Sequence, residues 1–105
     1  MAQYDIYRNP SARSRDSVPY VVDVQSAMLD GLRTRLIVPL SRVGSNAPGL
    51  PRRLIPLFVV GGERLALHAH LATGVEARLL RDKVDSLLAH AGEIGDAFDA
   101  VMRGV

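Results

Sequence analysis

His68 and His70 stand at i and i+2, so on a strand both imidazoles share a face and could reach one metal ion. A metal needs at least a third ligand, and no carboxylate or thiolate is held near the pair by its spacing, so two surface histidines are the expectation. His90, further on, reads as a partly exposed helix residue. Arg33-Thr34-Arg35 offers guanidinium groups that stabilise a pentavalent phosphate and a hydroxyl that could position the 2′-OH in RNA cleavage. Alternation sends the two arginines to one strand face and Thr34 to the other, which favours a solvated face over a joint nuclease centre. Ser11, Ser14, Ser17, Ser26, Ser41, Ser45 and Ser86 lie in no Gly-x-Ser-x-Gly elbow, which argues against an α/β-hydrolase and is neutral on other serine enzymes. Gly61-Gly62-Glu63 lacks the spacing and the lysine of a phosphate-binding loop and reads as a hairpin turn. No catalytic, cofactor or metal residue is assigned.

Met102-Arg103-Gly104-Val105 is a different kind of site. The chain given ends on an apolar stripe, with a permissive glycine beside hydrophobic side chains. A binding tip and a helix that simply completes its packing against a sheet are both consistent with that pattern.

The elements that must position these residues follow from the hydrophobic period. Tyr4 to Tyr7 opens a short strand that stops at Asn9-Pro10, and Ser11 to Pro19 is a polar, Arg-rich loop. Tyr20 to Val24 reads as a second strand and Thr34 to Leu40 as a third, with Pro39 at its end or on an edge. Breakers fill Ser41 to Arg53, a long loop. Leu54 to Val60 is nearly continuous in apolar residues and reads as a central strand buried on both faces. The Gly61-Gly62 turn leads to its antiparallel mate, Arg64 to Leu71, with Leu65, Leu67, Ala69 and Leu71 on one face. Val75 to Leu80 is the last strand candidate. Leu87, Ala91, Ile94, Phe98, Val101 and Val105 then fall on one stripe of an amphipathic helix that Asp85 or Ser86 can cap. The fold class is α+β and β-rich, an SH3-like, partly open barrel with a C-terminal α-helix, in a single domain over 1–105.

Composition bounds what such a domain does. With 105 residues there is room for one core, and a domain this small gains from self-association. Hydrophobic residues at 48% and charged residues at 23% are those of a folding chain. The absence of cysteine excludes disulfides, thiolate zinc sites and a cysteine nucleophile. No apolar stretch approaches a bilayer's thickness and no signal peptide is visible at the N-terminus, so a cytoplasmic location and no membrane partner are expected. The net charge of +2 is uneven: residues 1–53 hold eight arginines against four aspartates, and residues 54–105 hold five bases against seven acids. A basic first half suits an acidic protein partner or a phosphate backbone, or simply keeps two long loops solvated.

Tyr4-Asp5-Ile6-Tyr7, Val22-Asp23-Val24-Gln25-Ser26 with the apolar pair Met28-Leu29, Leu36-Ile37-Val38-Pro39-Leu40, Leu54 to Gly61 and the final Gly104-Val105 together resemble the CcdB family, toxins of type II toxin-antitoxin modules. Their order and spacing agree over nearly the whole chain. The resemblance implies an SH3-like barrel, a homodimer and no catalytic activity. It also implies a poison that binds the A subunit of DNA gyrase and traps the gyrase-DNA cleavage complex, as in plasmid maintenance. A CcdA-like antitoxin with a disordered acidic tail would neutralise it, and the toxin would meet DNA only indirectly, through the antitoxin complex. Carried over by position, the gyrase-binding residues are Met28, Leu29, Asp99, Met102, Arg103, Gly104 and Val105. Arg103 occupies the position of a family tryptophan that stacks on a gyrase arginine, and Met102 that of a phenylalanine. A guanidinium there sets like charge against like, which points to a gyrase altered in step, another target, or a disarmed toxin that retains antitoxin binding and operon regulation. The rival reading is an endoribonuclease like MazF, with the same barrel, using Arg33, Arg35 or Arg42 with Thr34.

Overall fold

The computed structural model describes residues 1–43 and 50–104. Seven strands, β1 (Asp5–Arg8), β2 (Tyr20–Asp23), β3 (Thr34–Arg42), β4 (Leu57–Val60), β5 (Glu63–Leu67), β6 (Thr73–Glu76) and β7 (Lys83–Ser86), precede a helix α1 (Ala91–Arg103). All strand pairings are antiparallel, in the order β4-β5-β3-β2-β1-β7, with β6 also on β3. The sheet curls into a half-barrel under a C-terminal helix, the β-rich α+β fold expected from the sequence.

β3 organises the sheet. Its middle pairs with β2 on one side, from Tyr20↔Leu40 to Asp23↔Ile37, while the other side takes β6 against its first half and β5 against its last. Pro39 therefore lies inside a central strand, where an edge or an end was expected. It is tolerated because its missing N–H falls at the break between β5 and β6. There the His68 N–H donates to the Pro39 carbonyl at 3.1 Å and no reciprocal bond is needed. β3 also runs on through Ser41 and Arg42, which the breaker density after them had assigned to the loop; Gly44 to Gly49 of that loop lie outside the described residues.

Both faces of the sheet are covered. Ile6, Val22, Val38, Leu40, Phe58, Val60, Leu65 and Leu67 face α1 and pack with Leu87, Ile94 and Ala97. Tyr7, Val21, Ile37 and Leu80 form a smaller cluster on the reverse. Period-2 alternation produces this split, since Ile6/Tyr7, Val21/Val22 and Ile37/Val38 are neighbours that point to opposite faces.

Further expectations are corrected. The apolar run Leu54 to Val60 is a strand only over Leu57–Val60, and it is the outermost strand on its side, with Val59 65% exposed. Pro51 causes the shortening: its carbonyl accepts from the N–H groups of Leu54 and Ile55, winding them into a turn. The mate of that strand ends at Leu67, after which Ala69–Leu71 and, beyond β6, Ala77–Leu79 are 3-10 turns where strands were expected. Leu71 is consequently exposed. Finally, Ser86 belongs to β7 and its Oγ accepts from the Leu88 N–H at 3.1 Å, so it caps the 3-10 turn Leu88–His90 and α1 starts only at Ala91. The Gly61-Gly62 hairpin stands as read: both glycines have positive φ, of 60° and 80°, and close the pair Val60↔Glu63.

Candidate functional site

α1 is held to the sheet at its middle and released at its end. Ile94 and Ala97 are buried and Phe98 is partly so, while Val101 is 37% and Met102 78% exposed. Burial along the described part of the stripe thus falls from Ile94 through Phe98 to Val101, and Met102 beside it is largely exposed. Gly104 terminates the helix in the left-handed region, at φ 72°, with its N–H donating to the Ala100 carbonyl at 3.0 Å, a conformation that glycine adopts without the Cβ penalty. Asp99 and Arg103 are one turn apart and form an exposed ion pair of 3.7 Å, acid before base as the helix dipole favours. Asp99, Met102, Arg103 and Gly104 therefore make one solvent-facing tip. Val105 lies outside the described residues.

Met28 and Leu29 sit on the 3-10 turn Ala27–Leu29, where Met28 is 93% exposed. Ser26 Oγ accepts from the Met28 N–H at 3.2 Å, and the Gln25 side chain ties the turn to the sheet. Its Nε2 donates to the Leu29 carbonyl and its Oε1 accepts from the Leu36 N–H, both at 2.9 Å. Asp23 Oδ1 in turn accepts from the Gln25 N–H at 3.0 Å. Beside Leu36 a cleft of about 190 Å³ opens between the sheet and α1, lined by Tyr4, Val24, Leu36, Ile94, Gly95 and Phe98 among others. Leu36 is thus both a wall of this cleft and an anchor of the Met28 turn, and Phe98 is another wall, one helical turn before the tip. None of the described carried-over residues lines this cleft; the Met28 turn is tied to its Leu36 wall through Gln25, and Phe98 precedes the tip on α1. Leu36 and Phe98 were read as a strand residue and a packing residue; the cleft lining puts them at a common opening.

The arginines proposed for RNA cleavage are differently placed. Arg35 is 2% exposed, so the expected solvated face is corrected. Its Nε donates to Asp23 Oδ2 at 2.8 Å and its Nη1 to Asp30 Oδ1 at 2.9 Å. Its Nη2 adds a 2.7 Å ion-pair contact to Asp23 without an aligned hydrogen bond. Burial alone would lower the Arg35 pKa, but bonds to Asp30 and Asp23 outweigh it and leave the value raised. Arg42 is bound by Glu63 at 2.8 Å and donates to the carbonyls of Arg15 and Asp16. Arg35 is closed to a phosphate, Arg42 is held by Glu63 at the surface, and Arg33 and Thr34 are exposed. Nearby, Asp5 contacts the Tyr7 hydroxyl and Lys83, and burial followed by the Asp5 and Asp23 charges pushes the Tyr7 hydroxyl pKa up.

His68 and His70 keep their rings in tilted contact, centroids 5.4 Å apart, but differ in burial. His68 is buried, where a surface position was expected, because the sheet continues through its bond to Pro39; His70 is exposed on the following turn. Burial, and then His70, lower the His68 pKa. Among the described residues no group of three or more His, Cys, Asp or Glu is placed to hold a metal ion. His90 precedes α1, bonded to Glu93 at 3.1 Å and tilted against Phe58. Among the described residues no helix is long and apolar enough to cross a membrane.

The arrangement can bind, through an exposed helix tip and an apolar cleft. A search of curated proteins matches none to this chain. A family model described as CcdB protein matches residues 3–104. The curled antiparallel half-barrel with its C-terminal helix is consistent with that match, and the chain belongs to the CcdB family, whose members are toxins of toxin-antitoxin modules.

Proposed function

We propose that this protein poisons DNA gyrase: as a homodimer in the cytoplasm it binds the A subunit of DNA gyrase with the tip of α1 and the Met28 turn and traps the enzyme on cleaved DNA. It acts without catalysis of its own, as a single CcdB-like domain over 1–105. A CcdA-like antitoxin restrains it, and contact with DNA is made through that complex. The observation that carries this reading is the bare end of α1, where Asp99, Met102, Arg103 and Gly104 project from a helix whose earlier turns are buried. An exposed methionine is an adaptable docking element, and its exposure has no role in holding the barrel together. Family membership supports a toxin of a toxin-antitoxin module, and the resemblance suggests gyrase as its target.

The test is a cleavage assay with purified gyrase, supercoiled DNA and this protein, run beside Arg103→Trp. Accumulated cleavage complexes with the natural sequence establish poisoning with an arginine at the tip. Trapping by Arg103→Trp alone shows a disarmed toxin, since an aromatic anchor supplies about 2 kcal/mol or more, about 30-fold in affinity. If neither form traps DNA, the target is another. Against the ribonuclease reading, Arg35 and Arg42 are engaged with carboxylates, which leaves it Arg33 and Thr34; intact messages on induction would remove it.

A further inference from the structure

The end of β1 carries a second site, built from residues that neither the tip nor the Met28 turn contributes. The Arg8 N–H donates to the Asp82 carbonyl at 3.1 Å and the Asn9 N–H to the Pro19 carbonyl at 3.0 Å, which draws three stretches of chain together there. Buried Asn9 then fixes the loop that follows. Its Nδ2 donates to Ser14 Oγ at 3.0 Å and to the Val18 carbonyl at 2.8 Å, and its own carbonyl accepts from Arg15 Nε at 2.7 Å. Two clefts, of about 380 Å³ and 240 Å³, share Arg8, Arg15 and Asp82 as walls. The larger adds Pro19, half-buried Tyr20 and exposed Val84, and the smaller adds Arg81. Among the described residues neither Asp82 nor any of these three arginines is in an ion pair. Three guanidiniums and one carboxylate line the two clefts, so the charge stays positive with the acid counted.

We propose that these two clefts together bind a free ribonucleoside 5′-monophosphate. The base would occupy the larger cleft, whose aromatic and apolar side chains suit a flat ring and whose volume lies in the roughly 300–1,000 Å³ range of small-molecule sites. The phosphate would lie at the smaller cleft, where Arg81 joins Arg8 and Arg15, since a guanidinium meets phosphate oxygens with two parallel N–H groups. The ribose would then fall between them, beside the shared Asp82. An ionised carboxylate only accepts hydrogen bonds, which suits the 2′- and 3′-hydroxyls. The acid thus has a part in the site and disfavours an occupant that offers nothing but anionic groups. The assignment stands on this end of the sheet and holds whatever α1 binds.

Titration of the isotope-labelled full chain with adenosine 5′-monophosphate, followed by NMR, tests it. Saturable shifts are expected at the amides of Arg8, Asn9, Tyr20, Arg81 and Val84. Ribose 5-phosphate, which lacks the base, and adenosine, which lacks the phosphate, should each bind about tenfold more weakly or worse. Arg8→Glu with Arg81→Glu, at exposed positions, should weaken binding by a similar factor and leave the remaining resonances in place. Asp82→Ala should erase a preference of about tenfold for adenosine 5′-monophosphate over its 2′,3′-dideoxy analogue, without weakening the analogue. A short RNA closed by a 3′-phosphate, which carries the same bases and phosphates without a free 3′-hydroxyl, should not compete. Should the arginine variant fail to fold, Asp82→Ala and the ligand series decide. Shifts that do not saturate, equal binding of inorganic phosphate or ribose 5-phosphate, competition by the closed RNA, or unchanged affinity in a folded arginine variant overturns the proposal.

Discussion

At Arg35 a side chain that strand alternation alone assigns to solvent is enclosed between β2 and β3 with Asp23, which is fully buried. Sequence distance hides the pair: the two residues are 12 apart and meet only once Asp23 is set opposite Ile37. Breaking a buried pair leaves an uncompensated charge, so Arg35→Met is expected to lower unfolding free energy by about 3–5 kcal/mol in urea titrations. The double variant Arg35→Met, Asp23→Leu should recover much of that loss, while Asp30→Asn, at a half-exposed carboxylate, should cost less than about 1 kcal/mol. His68 gives the second prediction at this scale. Its folded pKa lies below the ordinary 6.5, so below that pH the unfolded chain binds a proton that the folded one resists. Stability is fully present above pH 6.5 and falls as pH drops toward the folded value. His68→Gln should therefore show a shallower loss of stability on acidification through that window, measured by denaturant midpoints at a series of pH values. That His68 is buried was not legible, because the i, i+2 pattern of the histidines holds only for a continuing strand and the chain turns at Ala69.

Among the elements, those whose apolar pattern comes from alternation were readable and those set by turns were not. β1, β2 and β3 each bury neighbours on both sheet faces, and the Gly61-Gly62 hairpin needs the positive φ that glycine supplies. β7 has no buried residue, so no period betrays it; it exists because Asp5 and Ile6 pair with Ser86 and Asp85. In β4 the continuous apolar run suggests a strand buried on both sides, but the Pro51 turn consumes its first residues and nothing described pairs its far edge. α1 shows the opposite case: the stripe is correct in phase, and its boundary moves only because Leu87 is buried from the loop before the helix. Two substitutions separate its propensity from its packing. Gly92 would meet nothing within 4 Å on gaining a Cβ, so Gly92→Ala should stabilise the protein by about 0.5–1 kcal/mol. Ile94→Ala, in the core, should destabilise it by about 2–5 kcal/mol, both read from thermal or urea unfolding.

For the molecule as a whole, the carried-over residues that the structure describes at the end of α1 lie beyond the last turn that the core holds, which makes folding and target binding separable. Ile94 and Ala97 anchor the helix, whereas Met102 is largely exposed and Arg103 makes an exposed ion pair to Asp99. The tip sequence could be assigned to binding only through the resemblance; that it is bare follows from where the core stops, which a stripe of evenly spaced apolar residues does not reveal. Two variants exploit this. Met102→Lys and Arg103→Glu each change a side chain more than two-thirds exposed, so neither should shift unfolding free energy by more than about 0.5 kcal/mol. If the tip is the gyrase-binding surface of an active poison, the same substitutions should lower cleavage-complex formation by about tenfold or more, which is about 1.4 kcal/mol of binding. Unchanged stability with lost trapping locates the function in the tip. Unchanged trapping by both variants would transfer it to another face of the barrel. A loss of trapping that tracks a loss of stability would mean that α1 ends as part of the core after all, and the bare tip would no longer explain what the protein does.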